Sequence, residues 1–170
     1  VLDRLGGLSG NKDFSRGFME RGISPGHIMW EVQEAYQTPV VVDRITRGPL
    51  QYSALWKVAQ RMTDRPVKFG TVSAQSLHKM VWNEHYPSDK ELILELSDIM
   101  NEELRELAAS GCSLIQIEEP LHHFMAHRDE TTDEDLEFYT QAVNREIRGV
   151  DVVAIVFAVA LVVVELRGSL

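Results

Sequence analysis

A chain of 170 residues, 44% hydrophobic and 25% charged, has the make-up of a globular domain with room for a core. A formal charge of −9 with no basic cluster argues against a nucleic-acid footprint. The lone cysteine, Cys112, excludes an internal disulfide framework and fits a reducing, cytoplasmic setting. No linker, repeat or composition break divides the sequence, so residues 1–170 read as one domain, with 152–170 as an atypical apolar end. The first residues lack a charged-then-apolar leader pattern, so secretion has no support.

In chain order, residues 1–11 read as a glycine-containing loop. Asp13 then suits the cap of a short helix to Arg21. Ser24-Pro25 opens a second helical stretch to about Gln37, with Ile28, Val32 and Ala35 on one face, and Thr38-Pro39 closes it. Pro39-Val-Val-Val-Asp is a compact strand signal, and Arg44-Ile-Thr-Arg-Gly-Pro leaves it as a polar loop. Leu50 to Met62 has helical spacing, with Leu55, Val58, Ala59 and Met62 as its stripe. Pro66 to Gly70 is the next strand. The loop Gly70-Thr-Val-Ser leads into a helix from about Ala74 to Trp82, and residues 83–89 are polar and irregular.

Ser88 with Glu91 forms a capping box for a long helix ending at Gly111. Leu92, Leu96, Ile99, Met100, Leu104 and Leu107 make its apolar face. Ser113 to Ile117 is a short buried strand, ended by Glu118, Glu119 and Pro120. Thr132 to Arg148 is another helix, opened by Thr132 or Asp133, with Leu136, Tyr139, Val143 and Ile147 on its buried side, stopped by Gly149. Val152 to Val164 holds no polar residue. Thirteen apolar residues fall short of the roughly 20 that a membrane-spanning helix needs, so the run reads as a core strand or a pair of short strands and no membrane partner is expected.

Strands and helices alternate with crossovers long enough for parallel pairing, which makes the fold class α/β. Four such strands cannot close a barrel of eight. The acidic pair Glu118 and Glu119 stands at the carboxyl end of a strand, where α/β proteins build their sites. The competing reading makes both residues solvated loop acids. Arg44 and Arg47 are candidates for holding a carboxylate or sulfonate, against the alternative of surface ion pairs. His122, His123 and His127 are weak metal candidates, with solvated loop histidines the preferred reading. Cys112, at the amino end of its strand, reads as a packed thiol. Trp30, Trp56 and Trp82 read as core or interface residues.

Arg44-Ile-Thr-Arg-Gly-Pro, Thr63-Asp-Arg-Pro-Val-Lys and, above all, Gly111-Cys-Ser-Leu-Ile-Gln-Ile-Glu-Glu-Pro resemble the catalytic barrel of cobalamin-independent methionine synthase and its relatives. The likeness covers about residues 40–150. It implies that the chain is part of a (β/α)8 TIM-type barrel with parallel strands, incomplete here. It also implies a zinc cofactor and methyl or alkyl transfer from a donor to a small, homocysteine-like thiol. Glu118 stands where the synthases usually carry an aspartate that contacts the amino group of homocysteine, so the acceptor stays open. The alternatives are an alkyl-coenzyme-M lyase or transferase of the same superfamily, or a non-catalytic barrel piece that acts through association, as a homo-oligomer for example. The family's expected zinc ligands, histidine, cysteine and glutamate on later strands, have no match in this sequence: no histidine follows His127 and no cysteine follows Cys112.

Overall fold

The computed structural model of the chain describes residues 5–13, 37–48, 51–119, 131–152 and 154–158. The elements are β1 (Gly6–Asp13), β2 (Gln37–Thr46), α1 (Tyr52–Gln60), β3 (Phe69–Val72), α2 (Ala74–His78), β4 (Trp82–Asn83), α3 (Asp89–Ala109), β5 (Leu114–Glu118), α4 (Asp133–Ile147) and β6 (Ala154–Ala158). They build two three-stranded sheets, ordered β1-β2-β4 and β3-β5-β6. The second sheet is wholly parallel, with Phe69 opposite Ile115 on one side of β5 and Leu114 opposite Ala154 on the other. Helices carry the chain across between its strands, as parallel pairing requires. The α/β class with parallel strands therefore holds, and the described residues do not close a barrel.

The first sheet departs from expectation. Residues 6–13 form a strand, not a loop, and Asp13 ends that strand instead of capping a helix. β1 runs antiparallel to β2, with a register irregularity between Gly6 and Leu8. Gly7 takes φ +85° there, and a Cβ would lie 2.5 Å from the Arg44 carbonyl oxygen, so glycine is the residue that fits. β2 also outruns its compact signal: Thr38-Pro39 lies inside it, and it continues through Arg44 to Thr46. Ile45 explains the extension, because its side chain is almost wholly buried in the core.

The helix after Ser73 is shorter than its periodicity suggests. It ends at His78, and Trp82-Asn83 pairs in parallel with Val40-Val41. The strand expected at residues 66–70 lies at Phe69–Val72. Residues 14–21 and 24–36 of the two predicted helices, Trp30 among them, the segment 121–128 and the stretch from 159 onward lie outside the described residues.

α3 is the spine of the core. Every residue of its predicted apolar face is buried, and Leu92, Met100, Leu104 and Leu107 are fully so. Ser88 accepts a hydrogen bond from the Glu91 amide at 3.2 Å, which caps the helix start. Gly111 ends the helix region at φ +101°, with the Trp56 ring 3.6 Å from where a Cβ would stand. Across from α3, Ile115 and Ile117 of β5 enter the same core. Full burial of each aliphatic side chain of this kind contributes about 1.5–3 kcal/mol.

The stripe expected on α1 is the main packing correction. Leu55, Val58 and Met62 are exposed, and the buried side is Tyr52, Ser53 and Trp56. The two aromatics win the interior because each buries a large ring and still satisfies its polar atom. Trp56 Nε1 donates to the Val67 carbonyl at 3.0 Å, and the Tyr52 hydroxyl shares a 2.8 Å hydrogen bond with Thr71 Oγ1. α1 has no side-chain cap of its own: Gln51 sits at φ 59° and makes no capping bond. Glu103 of α3 supplies it, accepting from the Tyr52 amide at 3.0 Å. Arg47 donates to Glu103 Oε1 and Glu106 Oε2, and Ser53 Oγ donates to Glu106 Oε1 at 3.0 Å. α4 is capped by Thr132 in a reciprocal box with Asp135. Its best-buried residues are Ala142 and Glu146, while Val143 and Ile147 pack partly against the core.

Candidate functional site at the carboxyl ends of the parallel strands

Side chains alternate across a strand, so the two neighbouring acids at the tip of β5 part company. Ile115 and Ile117 are buried toward the helices, whereas Leu114 and Gln116 are half-buried and Glu118 is exposed on the other face. Glu118 joins a polar ladder on that face. Gln116 Nε2 donates to Glu118 Oε1 at 3.2 Å, and Lys68 Nζ donates to Gln116 Oε1. A cation, an amide and a carboxylate thus line one side of the β3–β5 pair, an arrangement able to meet a zwitterionic small molecule.

Glu119 turns the opposite way and is 1% exposed. Ser73, the residue after β3, donates its hydroxyl to Glu119 Oε2. The Ser73 amide donates to the Glu118 carbonyl at 3.1 Å, so the ladder between β3 and β5 is carried one step past β3. Ser73 Oγ also accepts from the Ser76 amide at 3.1 Å, capping α2. The next residue, Ala74, donates its amide to Glu146 Oε2 at 3.3 Å. Burial, and secondarily the nearby Glu119, push the Glu146 carboxyl up to about 8.

Two further polar groups are buried beside this turn. Gln75 Nε2 donates to the Tyr139 carbonyl at 2.8 Å. His78, 4% exposed, pairs through Nε2 with Asp89 Oδ2 at 2.9 Å. That hydrogen bond is the chief reason the Asp89 carboxyl is held down to about 2. Burial raises the Tyr139 phenol, helped by Asp135, Asp89 and Glu119.

The structure does not gather all the sequence candidates. Glu118 and Glu119 share the tip of β5 but face opposite ways. Arg44 Nε contacts Glu95 Oε1 at 2.7 Å, and Arg47 binds Glu103 and Glu106, so both guanidiniums pair with acids of α3. His122, His123 and His127 lie outside the described residues. Cys112 is buried at the amino end of β5, with burial raising its thiol. Ser73 and Glu146 were not among the sequence candidates. The signal for Glu146 was its position four residues after Ala142, which puts a charge on the buried side of α4.

Among the described residues, no three His, Cys, Asp or Glu side chains are grouped to hold a metal. With Cys112 at the wrong end of its strand and His78 engaged by Asp89, these residues do not fit the zinc ion that the resemblance implies. No helix among the described residues is long and apolar enough to cross a membrane.

Comparison with known proteins places this geometry. A methionine synthase of Saccharolobus solfataricus is 28% identical over 116 residues, covering 68% of this chain and 30% of the relative. A methionine synthase of Sulfurisphaera tokodaii is 33% identical over 119 residues, covering 69% of this chain and 33% of the relative. The chain therefore spans about a third of the length of these curated relatives. In fold, it is similar to a B12-independent methionine synthase from Shewanella sp. W3-18-1, solved in complex with selenomethionine. The TM-score is 0.69 at 20% identity, over 93% of this chain and 41% of that one. Residues 24–156 match the family described as cobalamin-independent synthase, catalytic domain, and the chain belongs to that family.

Proposed function

We propose that the protein containing this chain transfers a methyl or alkyl group to the sulfur of a small amino-acid thiol such as homocysteine. The observation that supports this reading is the position of Glu118 at the carboxyl end of β5, on the sheet face away from the helices, within a chain of this family. Glu118 Oε1 accepts from Gln116, and the carboxylate meets the ammonium group of the thiol substrate. Lys68, ordered against Gln116, lends positive charge on the same face for the substrate carboxylate. These residues bind and orient the thiol. Alkyl donor and zinc enter the proposal as partners of the whole protein, the zinc held by residues outside the described set. A cytoplasmic setting belongs to the same reading.

The test is calorimetric titration of the full-length protein with homocysteine, beside the Glu118→Ala variant. Losing one charge-assisted contact costs about 1.5–3 kcal/mol, so affinity is expected to fall roughly ten- to hundredfold. Unchanged affinity in the variant would remove Glu118 from the site. No heat with homocysteine, together with no bound zinc in the full-length protein, would remove the reaction class.

A further inference from the structure

We infer that Glu146 is stored as a neutral carboxylic acid and is a positioning residue: through the Ser73-Ala74 turn it sets where the tip of β5 comes to rest. The hydrogen bonding of the Glu146 carboxyl is incomplete. Glu146 is 1% exposed, its Oε2 receives one amide at 3.3 Å, and its Oε1 has no partner. A carboxylate carries about four acceptor sites, and one long amide bond is poor recompense for burying its charge. A second buried acid, Glu119, is held by the residue immediately before Ala74. Two ionised carboxylates held by the adjacent residues Ser73 and Ala74 in a dry site repel, and one of them keeps its proton.

The surroundings decide which. Glu119 receives the Ser73 hydroxyl, whereas no cation reaches Glu146 among the described residues. From α1 the group facing it is the Tyr52 phenol, itself pushed up to about 12 chiefly by burial. From α3, Glu103 is engaged by Arg47 and the Tyr52 amide, and Asn101 donates to the Glu146 backbone carbonyl at 2.9 Å. From α2, His78 is turned to Asp89, and on α4 itself Arg145 is paired with Asp98. The upward displacement of the Glu146 carboxyl to about 8 agrees with this arrangement.

The turn transmits the consequence. Ser73 is bonded to the Glu118 carbonyl through its amide and to Glu119 through its hydroxyl, and Ala74 is bonded to Glu146. While Glu146 is neutral, α4 and β5 clamp the turn from two sides. Ionising it sets two buried negative charges against each other across that turn and loosens the backbone that presents Glu118. Where this touches thiol binding it rests on the proposed reaction. The clamp itself does not.

The experiment is a pH titration of the chain with carboxyl-labelled glutamate, followed by nuclear magnetic resonance. One carboxyl is expected to titrate with a midpoint near pH 8, and the amide signals of Ser73, Glu118 and Glu119 should move along the same curve. Glu146→Gln should abolish that midpoint and hold the three amides at their low-pH positions throughout. Ser73→Ala takes from Glu119 the hydroxyl that favours its ionised form, so the two acids should then compete for the proton and the Glu146 midpoint should fall. A Glu146 carboxyl titrating in the ordinary carboxylate range, or amides indifferent to its titration, overturns the inference. In the full-length protein, homocysteine affinity should fall along the same curve in wild type and not in Glu146→Gln. Absence of binding at every pH counts against the thiol reading, while the carboxyl titration still decides this one.

Discussion

Glu103 offers the sharpest test of how the helical layer is joined to the sheets. Its carboxylate is 1% exposed and makes two bonds, one to Arg47 and one to the amide that opens α1. Removing one member of a fully buried ion pair costs about 3–5 kcal/mol. Here the Arg47 side chain is 33% exposed and keeps Glu106 as a partner, so water and the second acid recover part of that loss. Glu103→Ala is therefore expected to cost about 3 kcal/mol, at the lower end of that range. Glu103→Gln keeps the volume and an oxygen for the Tyr52 amide, and should cost about 1.5 kcal/mol for the lost charge. In urea unfolding with a slope of about 2 kcal/mol per molar, these become midpoint shifts of roughly 1.5 M and 0.75 M at unchanged slope. In a double-mutant cycle, Arg47→Ala should show about 1–2 kcal/mol of coupling to Glu103→Ala. A cost below about 1 kcal/mol for the alanine variant, or equal costs for Ala and Gln, would refute the two-bond account.

Three other outcomes follow from the packing and the His78–Asp89 pair. Leu104→Ala, at a site with no exposure, should cost about 2–5 kcal/mol in the same urea assay; a loss under about 1 kcal/mol would mean that the core centre lies elsewhere. Leu55→Lys on the exposed side of α1 should change stability by no more than about 0.5 kcal/mol, and a large loss would restore the aliphatic stripe as the buried face. Asp89 is depressed by His78, so its contribution is present above the ordinary aspartate range near pH 4 and is lost as pH falls through about 2. Its side chain is 61% exposed, so solvent screening holds the effect to about 1 kcal/mol. The melting-temperature gap between wild type and Asp89→Asn should then stay level from pH 6 to about pH 5 and narrow from there toward pH 2, and a constant gap across that lower range would count against the pair.

Features settled by a few neighbouring residues were legible in the sequence. The Ser88 and Thr132 caps, the face of α3 from Leu92 to Leu107, the stop at Gly111 and the short strand before Glu118 all depend on local patterns. Features settled by distant partners were not. Trp82-Asn83 is a strand only because Val40-Val41 lies beside it, and Ile45 extends β2 because the core receives its side chain. On α1, aliphatic spacing pointed to Leu55 and Val58, but the carbonyl of Val67 and the hydroxyl of Thr71 were waiting for Trp56 and Tyr52. At the site, the position of Glu118 and Glu119 at a strand end was readable. Their division between two faces needed the strand's last residue to be fixed. Arg44 and Arg47 found acids on α3 because that long helix runs past the end of β2, which no local pattern around residue 44 could reveal.

The placement of α3 has a consequence for how the molecule comes apart. This one 21-residue helix touches α1, α2, α4 and β2. Its neighbours have few routes to fray alone, because each leans on the same rod. Amide hydrogen exchange should therefore find the slowest protons in the middle of α3 and in β5, released together in a single opening event and not as a graded series of local ones.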